Sequence, residues 1–384
     1  MKINEIPTPF YIVYEDRLRK NLDLITDVGR RAHVKIIMAF KANALWKTFD
    51  IFREYNVACT ASSLNELRLG REFLTDEIYS YSPAYTDQTI GEYLEGSTHI
   101  TFNTVSQWNR FKDRVEQYNA TSGRHVSPGL RVNPRCSVIT TDIYNPALPG
   151  SRFGASAEEL ADGIPEGIEG LHFHALCEST SHDLVKVLAS FEAQFGHLLS
   201  KLKWVNMGGG HIMTRKDYDT DHLVKVLTEF KSRYPNLEII LEPGSAFTWR
   251  TGDLIGSVVD IVTNDGVTTA IMDVSFACHM PDTLEMPYKP AITESDGDAP
   301  VAGHPTYRLG GNSCLSGDYM GNWSFAKPLE IGDRLTLEDM NHYTTVKTNM
   351  FNGISHPAIV FCDKNGECRY LREFDYEDYK NRMS

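Results

Sequence analysis

The sequence predicts a (β/α)8 barrel followed by an antiparallel β domain, and three observations carry that expectation. Apolar, β-rich runs recur at 35–41, 57–62, 78–82, 99–103, 129–133, 169–174, 204–208 and 238–242. Most of the segments between them read as helices, and strands alternating with helices imply parallel strands joined by crossovers. Eight such units over roughly 200 residues suit a closed barrel. After about residue 250 the texture changes: Gly, Pro, Asp and Thr increase and the apolar runs shorten, as in an antiparallel β domain.

Taken in order, the first apolar run, 10–14, precedes a helix beginning near Asp16 and can join the β domain rather than the barrel. The expected division is therefore a barrel over 16–250 and a β-sandwich or β-barrel domain over 251–384, joined by the N-terminal segment 1–15. Helices are expected at 64–73, 106–118, 181–202 and 221–234, with Ser63, Thr104 and Thr220 as N-caps. Strands of the second domain are expected at 257–262, 269–274, 334–337 and 358–361.

Composition bounds the function. A chain of 384 residues is too long for one ordinary core, and 41% hydrophobic with 23% charged residues is ordinary globular composition. No apolar stretch is long enough to cross a bilayer, and the start, Met1-Lys2-Ile3-Asn4-Glu5-Ile6-Pro7, has no apolar signal core, so a cytoplasmic protein is expected. A formal net charge of −13 disfavours nucleic acid and anionic membranes and suits a cationic small substrate. Seven cysteines without a C-x-x-C pair argue against a disulfide framework or a structural zinc site.

Barrel enzymes carry their sites at the C-terminal strand ends. Here those ends supply Lys41 and Asn43, Ser62 and Ser63, Asn103, then Arg131 and Asn133. They continue with His172-Phe173-His174 leading to Cys177 and Glu178, then Gly208-Gly209-Gly210-His211, and finally Glu242-Pro243-Gly244. Lys41 closes an apolar run, where an ammonium is costly unless paired or chemically used. Alone it reads first as a solvated loop lysine. The triple glycine is at once a tight turn and a phosphate cradle of backbone amides. Glu242 suits a metal, a base, a protonated ring nitrogen or an ion pair. His172 and His174 share one side of their strand. His174 lies nearer the mouth, and His172 reads as a deeper, satisfied core histidine. An H-x-H pair also fits a metal hydrolase, but strand ends rich in Lys, Ser, Asn and Arg lack the carboxylates that chemistry needs. Together, a lysine, a flat imidazole, a glycine turn and a terminal carboxylate match pyridoxal 5′-phosphate, with no metal.

On these motifs the chain resembles the fold type III pyridoxal phosphate decarboxylases, the group of ornithine, arginine and diaminopimelate decarboxylases with an alanine racemase-like fold. The resemblance runs from Thr8-Pro9-Phe10-Tyr11 through the lysine strand, His174, the glycine turn and Glu242-Pro243-Gly244. It continues into Gly311-Asn312-Ser313-Cys314-Leu315-Ser316-Gly317-Asp318, then His342-Tyr343-Thr344 and Phe351-Asn352-Gly353. Pro149-Gly150-Ser151-Arg152-Phe153-Gly154 and His174-Ala175-Leu176-Cys177-Glu178 look like the branch acting on carboxynorspermidine and carboxyspermidine. The resemblance implies that Lys41 carries the cofactor, His174 stacks on it, and Glu242 meets its pyridine nitrogen. It places Gly208, Gly209, Gly210 and Tyr343 on the phosphate. It further implies a homodimer with a composite site, in which Cys314 crosses from the partner copy to protonate Cα after CO2 leaves. Asp318, Glu178, Arg152 and Asp273 are the expected substrate-side residues, and the substrate a small polycationic amino acid. Cys314 alone reads as a small buried hydrophobe, but its Gly-rich, polar setting looks unlike a core strand.

Two positions depart from the family pattern. Ser245 stands where relatives place a phosphate-binding arginine after Glu-Pro-Gly, and Arg152 is one substitute cation. Leu315 stands where ornithine and diaminopimelate enzymes carry an acid, which favours a longer secondary-amine substrate. The remaining readings are decarboxylation of diaminopimelate, ornithine or arginine, a racemase of the same fold, a cofactor carrier without catalysis, and a metal-dependent hydrolase.

Overall fold

The computed structural model describes residues 1–285 and 288–384, and it divides into two compact units, Asn21–Phe247 and Met1–Lys20 with Thr248–Ser384. The first unit is a parallel barrel. Its strands run in sequence order through Cys59–Ala61, Ile78–Tyr81, His99–Phe102, Ser127–Arg131, Gly170–His172, Trp204–Asn206 and Glu238–Leu241. The first stave is split at Ile37. Lys35–Ile36 pairs with Glu238–Leu241, and Met38–Ala39 pairs with Cys59–Ala61, so these two halves close the ring. Ile37 N–H still donates to Leu241 O at 2.9 Å and Met38 N–H to Ala58 O at 2.9 Å, which keeps the split stave in register.

The fifth stave begins two residues before the sequence places it, since Ser127 and Pro128 are buried strand here. The glycines have a packing reason. Trp204, 2% exposed, lies across the start of the barrel, and a Cβ would stand 2.1 Å from its ring at Gly129 and 2.0 Å at Gly170. Its Nε1–H donates to Ser127 Oγ at 2.8 Å, and Ile37, Ala58, Tyr79 and Ile240 complete the plug. The N-terminal end of the barrel is a packed core, leaving the opposite end for chemistry.

Ser63 and Thr104 cap Leu64–Phe73 and Val105–Thr121 as expected, accepting from Glu66 N–H and Gln107 N–H. Thr220 does not cap. Asp219, one residue earlier, accepts from His222 N–H at 2.8 Å and starts Thr220–Arg233. The helix beginning at Ser181 ends at Phe195, where Gly196 opens a 3-10 turn, Gly196–Lys201, instead of continuing to 202.

The second unit is a mixed sheet rather than a purely antiparallel one. Its order is Tyr319–Ser324, Thr306–Gly310, Val267–Met272, Gly252–Asn264, Phe10–Tyr14, Ala358–Cys362 and Cys368–Arg372, with Arg334–Leu337 also on Gly252–Asn264. Two pairings are parallel: Phe10–Tyr14 with Ala358–Cys362, and Val267–Met272 with Thr306–Gly310. Tyr11, Leu254, Met272, Trp323 and Leu337 lie in its main core.

Candidate active site

The C-terminal ends of the staves bring Lys41, His172, His174, Glu242 and the glycine turn into one mouth. Lys41 follows the short stave Met38–Ala39. Its surface remains solvent-accessible, while the protein atoms around it still displace much of the surrounding water. That desolvation lowers its pKa below the ordinary lysine value; Glu242 opposes the shift and Arg131 adds to it. The result is an amine that is neutral at lower pH than a solvated lysine.

Glu242 is the opposite pole. Asn206 Nδ2 donates to its Oε1 at 2.7 Å, and His172 Nε2 stands 3.7 Å from Oε2. Burial pushes the carboxyl pKa up, but His172, Asn206 and Lys41 together outweigh it and hold the group below its ordinary value. The Asn206 bond is the firm tether. At 3.7 Å the His172 contact is longer than a hydrogen bond; burial lowers the His172 pKa, and the charge of Glu242 works against that shift. His172 does sit a layer deeper, 3% exposed, but it is not a satisfied core histidine: neither ring nitrogen has a hydrogen-bond partner among the described residues.

The glycine turn is required by backbone crowding. Gly208 and Gly210 have φ of +69° and +97°, and a Cβ on Gly209 would lie 2.2 Å from Glu242 O. Two of its amides are already engaged. Gly208 N–H donates to Asn206 Oδ1 at 2.9 Å, and Gly209 N–H donates to His174 Nδ1 at 3.0 Å. The second bond makes Nδ1 the acceptor. It agrees with a neutral ring, since burial and then Lys41 and Arg131 hold the His174 pKa well below the ordinary histidine value.

Arg131, named only as a strand end in the sequence, belongs to this mouth. It is 4% exposed, its guanidinium lies 4.8 Å over Tyr81 and 4.4 Å over Phe153, and it donates to His174 O at 3.4 Å. No carboxylate pairs with it among the described residues, and burial lowers its pKa. Arg152 is exposed, stacked 4.3 Å over Phe153. Asn103 fixes that segment, donating to Arg152 O at 2.8 Å and accepting from Gly154 N–H at 3.0 Å. Glu178 is exposed and left-handed, with φ +46°. Glu66, not singled out from sequence, accepts from Ser62 N–H at 2.6 Å; burial raises its pKa and Lys41 opposes this.

In the second unit the expected residues are differently disposed. Cys314 is exposed, not a buried hydrophobe, and its N–H donates to Asn352 Oδ1 at 2.8 Å. Asp318 is 4% exposed and turned inward. It accepts from Ser275 Oγ, Ala277 N–H, Ser313 N–H and Ser313 Oγ at 2.8, 3.0, 3.2 and 2.5 Å, so four internal donors occupy a carboxylate expected to meet an amine. Asp273 is likewise engaged, accepting from Ser257 N–H at 2.7 Å. Tyr343 precedes Thr344–Lys347 with φ +56°.

The mouth is built to hold an aldehyde-bearing pyridine. A crowded amine, an ionised acid with one oxygen unbridged, and a turn that admits no Cβ fit pyridoxal phosphate, and they define a pyridoxal-dependent enzyme. The family model described as "Pyridoxal-dependent decarboxylase, C-terminal sheet domain" matches residues 12–341. The chain is 42% identical to the carboxyaminopropylagmatine decarboxylase of Synechocystis sp., over 100% of this chain and 97% of that one. It is 39% identical to the carboxynorspermidine/carboxyspermidine decarboxylase of Campylobacter jejuni, over the whole of both. The crystal structure of carboxynorspermidine decarboxylase complexed with norspermidine, from the same organism, superposes with a TM-score of 0.89, covering 98% of this chain and 100% of that one at 39% identity. The chain belongs to the pyridoxal-dependent decarboxylase family.

Proposed function

We propose that this enzyme decarboxylates carboxynorspermidine or carboxyspermidine to norspermidine or spermidine, in polyamine biosynthesis. Glu242, held ionised in the same mouth as Lys41, carries the reading. An acid at the pyridine nitrogen favours a strong electron sink, as decarboxylation needs and as a racemase avoids. The substrate class is supported by the full-length relatives and by apolar Leu315.

Bound pyridoxal phosphate supplies an aldehyde for an amine and a protonated ring that takes up the electron pair left by CO2. Lys41 would hold the cofactor through its aldehyde, its lowered pKa leaving the amine free to do so at lower pH than a solvated lysine. Glu242, tethered by Asn206, keeps the proton on the ring nitrogen. Neutral His174 offers a flat face without adding charge. Gly210 would offer the phosphate the amide that the turn's other two bonds leave over, and Arg152 is the candidate cation where Ser245 replaces arginine. Proton return to the carbon that loses CO2 is assigned to Cys314 of a second copy, as the family resemblance implies. The reading includes a cytoplasmic homodimer. All seven cysteines are free thiols, and no described helix is long and apolar enough to cross a membrane.

The 42% identical relative favours a second reading, carboxyaminopropylagmatine, whose far end is a guanidinium rather than an amine. The test is purified protein with pyridoxal phosphate and each of the three carboxylated substrates, alongside ornithine, arginine and diaminopimelate, scored for CO2 and product. The highest kcat/KM on a carboxylated triamine supports the first reading. The highest value on the guanidino substrate transfers it to the second, and turnover of only the simple amino acids overturns both.

A further inference from the structure

We propose that Asn352 and Asp318 are positioning residues for the Cys314 thiol. The inference rests on the assignment of proton return to Cys314. A cysteine has one side-chain torsion before its sulfur, so any displacement of its backbone moves the sulfur with it. Proton delivery to carbon needs that sulfur within a few tenths of an ångström of its station, and misplacement by about 1 Å can cost 100-fold.

The loop that carries Cys314 is fixed on both sides. On one side Asp318 gathers Ser313, by its N–H and its hydroxyl, onto Ser275 Oγ and Ala277 N–H. The loop closes on itself there: Gly311 N–H donates to Asp318 O at 2.7 Å, Asp318 N–H to Leu315 O at 3.0 Å, and Leu315 N–H to Ser313 Oγ at 3.3 Å. On the other side Asn352 receives the Cys314 N–H itself. Asn352 is left-handed, with φ +58° and ψ +11°, a conformation asparagine tolerates better than most residues. Its turn is anchored by Asn349, which donates from N–H to Cys278 O and from Nδ2 to Ala277 O, each at 2.9 Å. Both fixings therefore share one base, the short helix Phe276–His279. The backbone at 313 and 314 is held while the sulfur stays exposed, as a group that must reach another molecule requires.

Asn352→Gly tests this, because glycine accepts the left-handed backbone but removes the acceptor. It is expected to lower kcat about 10- to 100-fold, leave KM within about threefold, and speed hydrogen exchange of the Cys314 amide in the cofactor-free protein at least about tenfold. Asn352→Asp, which keeps the oxygen, restores both. In a Cys314→Ala background, Asn352→Gly adds no further loss of kcat. If Cys314→Ala is slow and Asn352→Gly keeps kcat within about twofold, the positioning role fails while Cys314 stands. If Cys314→Ala itself keeps normal kcat, the assignment of proton return fails and takes the inference with it. Should Asn352→Gly not fold, Ser313→Ala loosens the other fixing and is read against the same outcomes.

Discussion

Asn206 joins Glu242 to the glycine turn: one end of its amide donates to Glu242 Oε1 at 2.7 Å, and the other accepts from Gly208 N–H at 2.9 Å. One side chain thus fixes the acid and the start of the phosphate loop together. A hydrogen bond to a charged group contributes about 1.5–3 kcal/mol. Asn206→Ala is expected to cost roughly 10- to 100-fold in kcat/KM and to weaken pyridoxal phosphate affinity. Asn206→Asp keeps the acceptor for Gly208 but sets a like charge beside Glu242, so cofactor affinity returns while kcat does not. Equal recovery of both in Asn206→Asp would show that Glu242 needs no donor.

Lys41 is the group whose loss is cleanest to read. Lys41→Ala removes the crowded amine and is expected to abolish the visible absorbance of the lysine-bound cofactor. Turnover should fall by at least about 1000-fold, roughly 4 kcal/mol of barrier. An absorption spectrum and a CO2 assay on the dialysed variant check it; retained colour with turnover would move the cofactor to another residue.

Arg131 is a buried cation with aromatic faces and no acidic partner among the described residues. A desolvated charge that no carboxylate neutralises costs the free protein stability that its carbonyl and ring contacts only partly offset. Arg131→Met is therefore expected to raise the thermal midpoint of the cofactor-free enzyme while cutting kcat/KM at least about tenfold, a trade typical of a site residue. A variant less stable than wild type and fully active would make Arg131 a packing residue.

What the sequence made legible follows from where each residue falls. Lys41, Glu242 and the three glycines end strands, and a polar or flexible residue closing an apolar run stands out against its neighbours. Asn206 and Arg131 are the last residues of Trp204–Asn206 and Ser127–Arg131, but the sequence ends both strands two residues further on, so each falls within its expected run, where a polar side chain shows no role until its partners are known. Asp318 was legible as part of a motif but not in direction, because four donors from two segments turn it inward. Thr306–Gly310 and Tyr319–Ser324 escaped notice since glycine and polar residues dilute their alternation. Their stability comes from pairing with each other and with Val267–Met272, which no local pattern records.

The barrel floor makes a stability prediction. A methyl group on residue 170 would overlap the Trp204 ring at 2.0 Å, with Gly129 closing the other approach. Overpacking of this kind costs on the order of 1–3 kcal/mol or more. Gly170→Ala should lower the urea midpoint accordingly, and Gly170→Ala with Trp204→Leu should recover part of it. A single variant as stable as wild type would show that Trp204 is free to move.

Two buried histidines set a pH dependence of stability. His211 is 1% exposed and His279 is fully buried, and burial lowers each pKa from 6.5 to about 4. The folded state therefore leaves them neutral where the unfolded chain protonates them. Their contribution is complete above pH 6.5 and is lost as pH falls toward 4, at up to about 1.4 kcal/mol per pH unit for each. His279 Nδ1 accepts from Ser275 N–H at 3.1 Å, a bond that glutamine's carbonyl can replace without titrating. His279→Gln should consequently lose less stability than wild type between pH 7 and pH 5, the difference read from paired urea midpoints. Parallel losses in the two proteins would mean that His279 takes up its proton without unfolding, so that some other group sets the acid limit.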